Sequence, residues 1–232
     1  GIERWCGVLL EPLRGTALRS TRRSQQPEIL RSWPVRAHYS VSVWFRIDAS
    51  TENDSSVRSL CRLRDASRAI AFDCAIRGGH TVCICTGEDN ERQRVSFKLP
   101  RVPAANLGTG EHEKVSASSM TASGIACSRT PWRHILVSHA PSGNLFGRKS
   151  STLVVYVDGI QCLEESVPFP ATRPMSILVI GGSAGESEWA LGPLNIFAAR
   201  LERSDALALW AAGPSYRGNF NDSNTRGLPV FM

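Results

Sequence analysis

Over most of the chain, apolar and polar residues alternate with a period of two, which is the signature of β-strands with one face in a core. Tyr39, Val41, Val43, Phe45 and Ile47 alternate with His38, Ser40, Ser42, Trp44 and Arg46, predicting a long half-buried strand. A polar turn follows, and Val57 to Leu63 predicts the next strand. Ala69 to Thr86 predicts a hairpin, with Gly78-Gly79 as a two-residue loop pairing Arg77 with His80. That register sets Cys74 opposite Cys83 and Phe72 opposite Cys85, placing three thiols on one face. Val95, Phe97 and Leu99 predict a further strand, as does Trp132 to Ala140. Leu153, Val155 and Val157 then alternate up to Asp158-Gly159, a strong two-residue hairpin signal, and Ile160 to Val167 returns. Met175 to Ile180 is a continuous apolar run, as expected of a central strand buried on both sides.

The end of the chain changes period. Leu194, Ile196 and Ala198 fall on one face of a strand, and Asn195, Phe197 and Ala199 on the other. Ser204 then suits a helix N-cap, with Asp205 in the first turn where the helix dipole favours negative charge. Leu207, Trp210 and Ala211 predict the buried stripe, Leu201 a staple at the helix entry, and Gly213-Pro214 the stop. The sum is roughly ten strands closed by one short helix, an all-β sandwich or jelly roll.

With 232 residues, one sizeable core is expected rather than two small ones. We expect a lead-in over 1–35 with room for an edge strand. The sandwich follows over 36–213, interrupted by a Ser/Ala/Gly-rich loop over 100–131, and a tail over 214–232 runs towards a neighbouring domain. No apolar run approaches the ~18 residues of a membrane helix. The net charge of +6 is carried mostly by arginine. Without interleaved aromatics or a nucleic-acid motif, that charge does not predict nucleic-acid binding. Seven cysteines, an odd number with no framework spacing, predict reduced thiols in a cytoplasmic protein.

Candidate chemistry is sparse. Gly181-Gly182-Ser183-Ala184-Gly185 matches the nucleophile-elbow pattern, but a strand rather than a helix follows it, so Ser183 is expected to sit in a plain glycine turn. Cys74, Cys83 and Cys85 are expected as packing residues; a Cys74–Cys83 disulfide and a zinc site are the alternatives. His134 and His139 are five apart on a strand and therefore face opposite ways. No two strand carboxylates face one another as glycoside hydrolysis requires. Asp48, Glu52, Asp54, Asp65, Asp89, Asn90 and Glu91 are available to calcium but are expected as turn residues. No catalytic, cofactor-binding or metal-binding residue is expected.

Two stretches carry a resemblance: Trp189-x-x-Gly192-Pro193-x-x-x-Phe197, and Leu201-x-x-x-x-Ala206-x-x-Leu209-Trp210-x-x-Gly213-Pro214-x-Tyr216, running on to Gly218 and Phe220. With the strand from Tyr39 to Arg46 and Trp132-Arg133-His134-Ile135, they resemble the concanavalin A-like, laminin G-like jelly roll of BEACH-domain proteins of the neurobeachin type. The resemblance implies a non-catalytic binding module in a large cytoplasmic scaffold, linked to vesicle trafficking and at most peripheral to membranes. Its partner would be a protein or a glycan, beside the neighbouring domains of the larger chain, with no cofactor. Trp44, Arg46 and Asp73 are the candidate ligand-face residues. Trp132, His134, Asp158, Gly159, Trp189, Gly192 and Trp210 are the expected structural positions. The alternatives are a calcium-dependent lectin or laminin G-like adhesion module and, less favoured, a jelly-roll glycosidase.

Overall fold

The computed structural model describes residues 28–33, 38–47, 57–65, 70–78, 80–87, 93–100, 131–141, 150–169, 175–180, 189–197 and 199–216. The strands are β1 (Glu28–Trp33), β2 (Tyr39–Ile47), β3 (Val57–Asp65), β4 (Ile70–Arg77), β5 (Thr81–Thr86) and β6 (Gln93–Lys98), followed by β7 (Arg133–Pro141), β8 (Ser150–Val157), β9 (Ile160–Pro168), β10 (Met175–Ile180) and β11 (Trp189–Phe197). One helix, α1 (Arg203–Ala212), follows them. The strands form two antiparallel sheets, a six-stranded one in the order β1-β10-β3-β4-β5-β6 and a five-stranded one in the order β11-β2-β7-β8-β9. This is the expected all-β sandwich with a short C-terminal helix.

The core lies between the sheets. Tyr39, Val41, Val43 and Phe45 of β2 and Ile135 and Val137 of β7 meet Phe72, Cys74 and Ile76 of β4 and Val82 and Ile84 of β5. Each is essentially closed to solvent, and burying a side chain of this size is worth about 1.5–3 kcal/mol. A second apolar layer lies on the far side of the five-stranded sheet. There Leu136, Val154, Tyr156 and Phe197 pack against Leu201, Ala206 and Leu209 of the helical segment. The alternation in β2 thus marks two buried faces rather than one, and Ser40 and Ser42 are as buried as Val41. Ser40 makes this tolerable: its hydroxyl donates to the Ala199 carbonyl (2.8 Å) and accepts from the Leu201 amide (3.0 Å). The sheet thereby grips the lead-in to α1.

Three expectations on local geometry are corrected. The helix N-cap is Glu202, not Ser204. Glu202 is extended, its amide donates to the Asp205 carboxylate (2.8 Å), and its carbonyl accepts from Ala206 (2.9 Å). Starting there, the helix buries Ala206 and Leu209 beneath Leu201, while Leu207 and Trp210 of the expected stripe stay 45% and 40% exposed. Gly213 ends the helix at φ 79°.

The β4–β5 loop holds three residues, because Arg77 pairs with Thr81 and Gly78 adopts a positive φ of 58°. The register therefore sets Cys74 opposite Ile84, Ala75 opposite Cys83 and Asp73 opposite Cys85. Cys74 points into the core, and Cys83 and Cys85 point outward. The three thiols do not share a face, and a Cys74–Cys83 disulfide is excluded. Cys61, the strand neighbour of Cys74, is buried beside it, and burial pushes both thiols well up, keeping them protonated. Finally, β10 is second from the edge, between β1 and β3, although Leu178 and Val179 are both buried.

Candidate functional site

Polar groups form two buried clusters, one on each side of the five-stranded sheet. On the core side, Tyr39 and His139 are cross-strand partners of β2 and β7, and Phe72 and Phe169 close around them. The Ser151 hydroxyl donates to the Val167 carbonyl. It must therefore accept from His139 Nε2 (2.6 Å), which leaves Nδ1 to accept from the Tyr39 hydroxyl (3.0 Å). The imidazole is neutral and fully bonded. This chain of serine, histidine and tyrosine lacks the open approach that a nucleophile needs, since Ser151 and His139 have no exposed surface. On the outer side, His134 bonds the Ser42 hydroxyl through Nε2 (2.9 Å) and lies 5.0 Å from the Trp44 ring. Burial pushes both histidines down to about 3. They face opposite ways, as their odd spacing requires.

Asp158 does more than turn the chain. It takes a left-handed φ of 51°, with Gly159 following at 79°. Its carboxylate accepts from Arg133 Nε (2.6 Å) and from the His134 amide (2.8 Å), and its own amide donates to the His134 carbonyl (2.9 Å). The β8–β9 turn is thus clasped to the start of β7. Asp158→Ala is expected to cost about 2–3 kcal/mol in chemical denaturation, because it strands a donor and puts a Cβ-bearing residue with no local bond in the left-handed region. Asp158→Asn, which tolerates that conformation and keeps an acceptor, is expected to cost about half as much.

The candidate ligand-face residues are not brought together. Trp44 is 6% exposed, lying on the outer face of the five-stranded sheet against His134 and beside Gly192. Arg46 shares that face and stacks its guanidinium over Trp132 at 5.3 Å. Asp73 is on the outer face of the other sheet, held by Arg62 at 2.9 and 3.0 Å. The whole thickness of the sandwich separates it from Trp44. Trp189 is buried in the core. Among the described residues, no group of three or more His, Cys, Asp or Glu side chains is arranged to hold a metal. Of the acids considered for calcium, Asp65 is buried at the end of β3, and Asp48, Glu52, Asp54, Asp89, Asn90 and Glu91 lie outside the described residues, as does Gly181 to Gly185.

Among the described residues, the exposed large apolar side chains are Val57, Ile160, Leu207 and Trp210. Leu207 and Trp210 stand together on α1, which rests on the Asp158-Gly159 turn, while Ile160 shares the sheet face of its partner Val157, on the side away from α1. A Cβ on Gly159 would lie 3.1 Å from Leu207 and 3.6 Å from the Trp210 ring, so the glycine lets the helix sit directly on the turn. Sequence reasoning assigned Leu207 and Trp210 to the core because they match a helical stripe. Their exposure depends on where the helix starts, and the stripe alone does not fix that.

No family model matches the chain, and no curated protein matches it. Among solved structures it is similar to one described as the crystal structure of the receptor binding domain, at 12% identity and a TM-score of 0.55 over 90% of this chain and 45% of that one. It is also similar to the botulinum neurotoxin serotype D binding domain, at 12% identity and a TM-score of 0.53 over 82% and 42%. The likeness is one of fold. The chain spans less than half the length of either structure. Among the described residues, no helix is long and apolar enough to cross a membrane.

Proposed function

We propose that this chain is a non-catalytic recognition module of a large BEACH-type scaffold linked to vesicle trafficking, and that it meets a protein partner across α1 and the β8–β9 turn. The observation that carries the reading is the exposed pair of Leu207 and Trp210 on α1. These two large apolar side chains stand on a capped helix that rests on the clasped turn, where burying them would be worth more to an interface than to the monomer. Support also comes from the buried histidines, whose neutral, sealed environments provide structure rather than chemistry. The solved structures of like fold are themselves described as binding domains. The sequence stretch from Trp189 to Tyr216 supplies the link to BEACH proteins.

The test is titration of the chain with a purified BEACH domain, with pooled glycans, and with calcium or chelator, read by thermal midpoint and tryptophan fluorescence. A partner that binds only the native state must raise the midpoint. The BEACH domain is expected to raise it, and Trp210→Ala to weaken that binding by about thirtyfold, as an aromatic hot spot would. Trp210 is 40% exposed, so its removal leaves the core intact. A response to calcium or glycan instead would replace this reading with the lectin one.

A further inference from the structure

We propose that the free edge of β9 is a second recognition site, separate from the exposed side of α1, and that it takes a basic peptide as an added antiparallel strand. β9 ends the five-stranded sheet. The strand at the other end, β11, is buried along almost its whole length. β9 is not: Ile160 is 66% exposed, and Gln161, Glu164, Glu165 and Ser166 are exposed as well.

Cross-strand partners share a face, so the pairing with β8 fixes where these side chains point. Gln161 and Glu164 lie opposite Tyr156 and Val154, on the outer face where α1 packs. Ile160, Leu163 and Glu165 lie opposite Val157, Val155 and Leu153, on the core face. Those three partners are essentially closed to solvent, yet Ile160 and Glu165 stand in it. The six-stranded sheet therefore stops short of them, and a further strand finds room on both faces as well as along the edge. Beyond the ladder with β8, Leu163 to Ser166 make no other backbone–backbone hydrogen bond among the described residues. Such an edge is a template for strand addition. The irregular pairing at Cys162 bounds it on one side, and the buried Val167 on the other.

Charge selects the occupant. Glu164 accepts from the Gln161 side chain (3.0 Å), and Glu165 has no hydrogen bond or ion pair among the described residues. A second copy would bring the same acids up to these two, and like charges directly opposite one another are unfavourable. A peptide carrying bases is favoured instead. Consecutive residues of a strand point to opposite faces, so Glu164 and Glu165 are met together only by two bases that are also consecutive. In an antiparallel peptide the pattern is base, base, apolar, with the apolar residue packing on Leu163.

The probe is a fluorescein-labelled Thr/Val peptide containing the run Arg-Lys-Val, followed by anisotropy at low salt. An isomer with one Thr between the two bases keeps composition and charge but sets both bases on one face. The first peptide is expected to bind about threefold more tightly than the isomer, the difference made by one exposed charge pair. Glu164→Gln and Glu165→Gln should each weaken it about threefold, and the pair about tenfold. A Glu164→Lys/Glu165→Lys variant, altered only at exposed positions, should instead prefer the Glu-Glu counterpart of the peptide. Amide hydrogen exchange within Leu163 to Ser166 should slow when the first peptide binds. Absence of binding, equal binding of the two isomers, or binding without slowed exchange on β9 would overturn the proposal. So would protection of the same amides that rises with the concentration of the chain alone, since the occupant would then be a second copy.

Discussion

Between pH 7 and pH 5 the folded chain is expected to lose about 4 kcal/mol of stability, well before most of its carboxylates titrate. The cause is the pair of buried histidines. Both His134 and His139 are pushed down to about 3 by burial, whereas an unfolded histidine titrates near 6.5. As pH falls below 6.5 the unfolded chain takes up two protons that the folded chain refuses, so acid favours unfolding. The stabilisation is complete above pH 6.5, declines by about 1.4 kcal/mol per pH unit for each histidine, and is exhausted near pH 3. At pH 5 each has lost about 2 kcal/mol, a large part of the 5–15 kcal/mol that holds a typical domain together. Urea denaturation across this range checks it. His139→Gln and His134→Gln should each remove about half of the slope. A wild-type profile that stays flat from pH 7 to pH 5 would show that the imidazoles accept protons in the folded state.

Those histidines also show what the sequence could and could not convey. Their opposite orientation was legible, because strand parity is a local property. The burial of His134 was not, because it depends on what covers the second face of the sheet. The same gap explains Ser40, Ser42 and Trp44. Alternation marks two faces and cannot say that both are covered; here Leu201, Ala206 and Leu209 cover part of the outer one, over Leu136, Val154, Tyr156 and Phe197, and Ser40 bonds the lead-in to α1. The strands, the Asp158-Gly159 turn and the closing helix were legible from period and turn residues. The hairpin register was not, since Gly78-Gly79-His80 accommodates a two-residue or a three-residue loop, and one added residue moves Cys83 and Cys85 to the other face. The exposure of Leu207 and Trp210 was likewise hidden. A helix starting at Arg203 buries Ala206 and Leu209, and no spacing rule separates that stripe from its neighbour.

Gly192→Ala is expected to destabilise the chain by about 1–3 kcal/mol, the range for forcing atoms into a packed site. Gly192 lies where the pairing of β11 with β2 shifts between Leu191 and Leu194. A Cβ there would come 2.9 Å from the Cβ of Trp44 and 3.2 Å from the Trp132 ring. The first contact is the decisive one. A Cβ is fixed to its backbone and cannot rotate away, so the strands themselves must separate or Trp44 must be displaced. Trp44 in turn packs against His134, and Trp132 carries the Arg46 guanidinium, so the disturbance reaches all four of these side chains. A double-mutant cycle with Trp132→Leu separates the two contacts. Relieving only the ring contact should recover a minority of the loss, because the clash with Trp44 remains. Full recovery would mean that the strands already yield at this irregularity and that the tryptophan ring alone sets the limit.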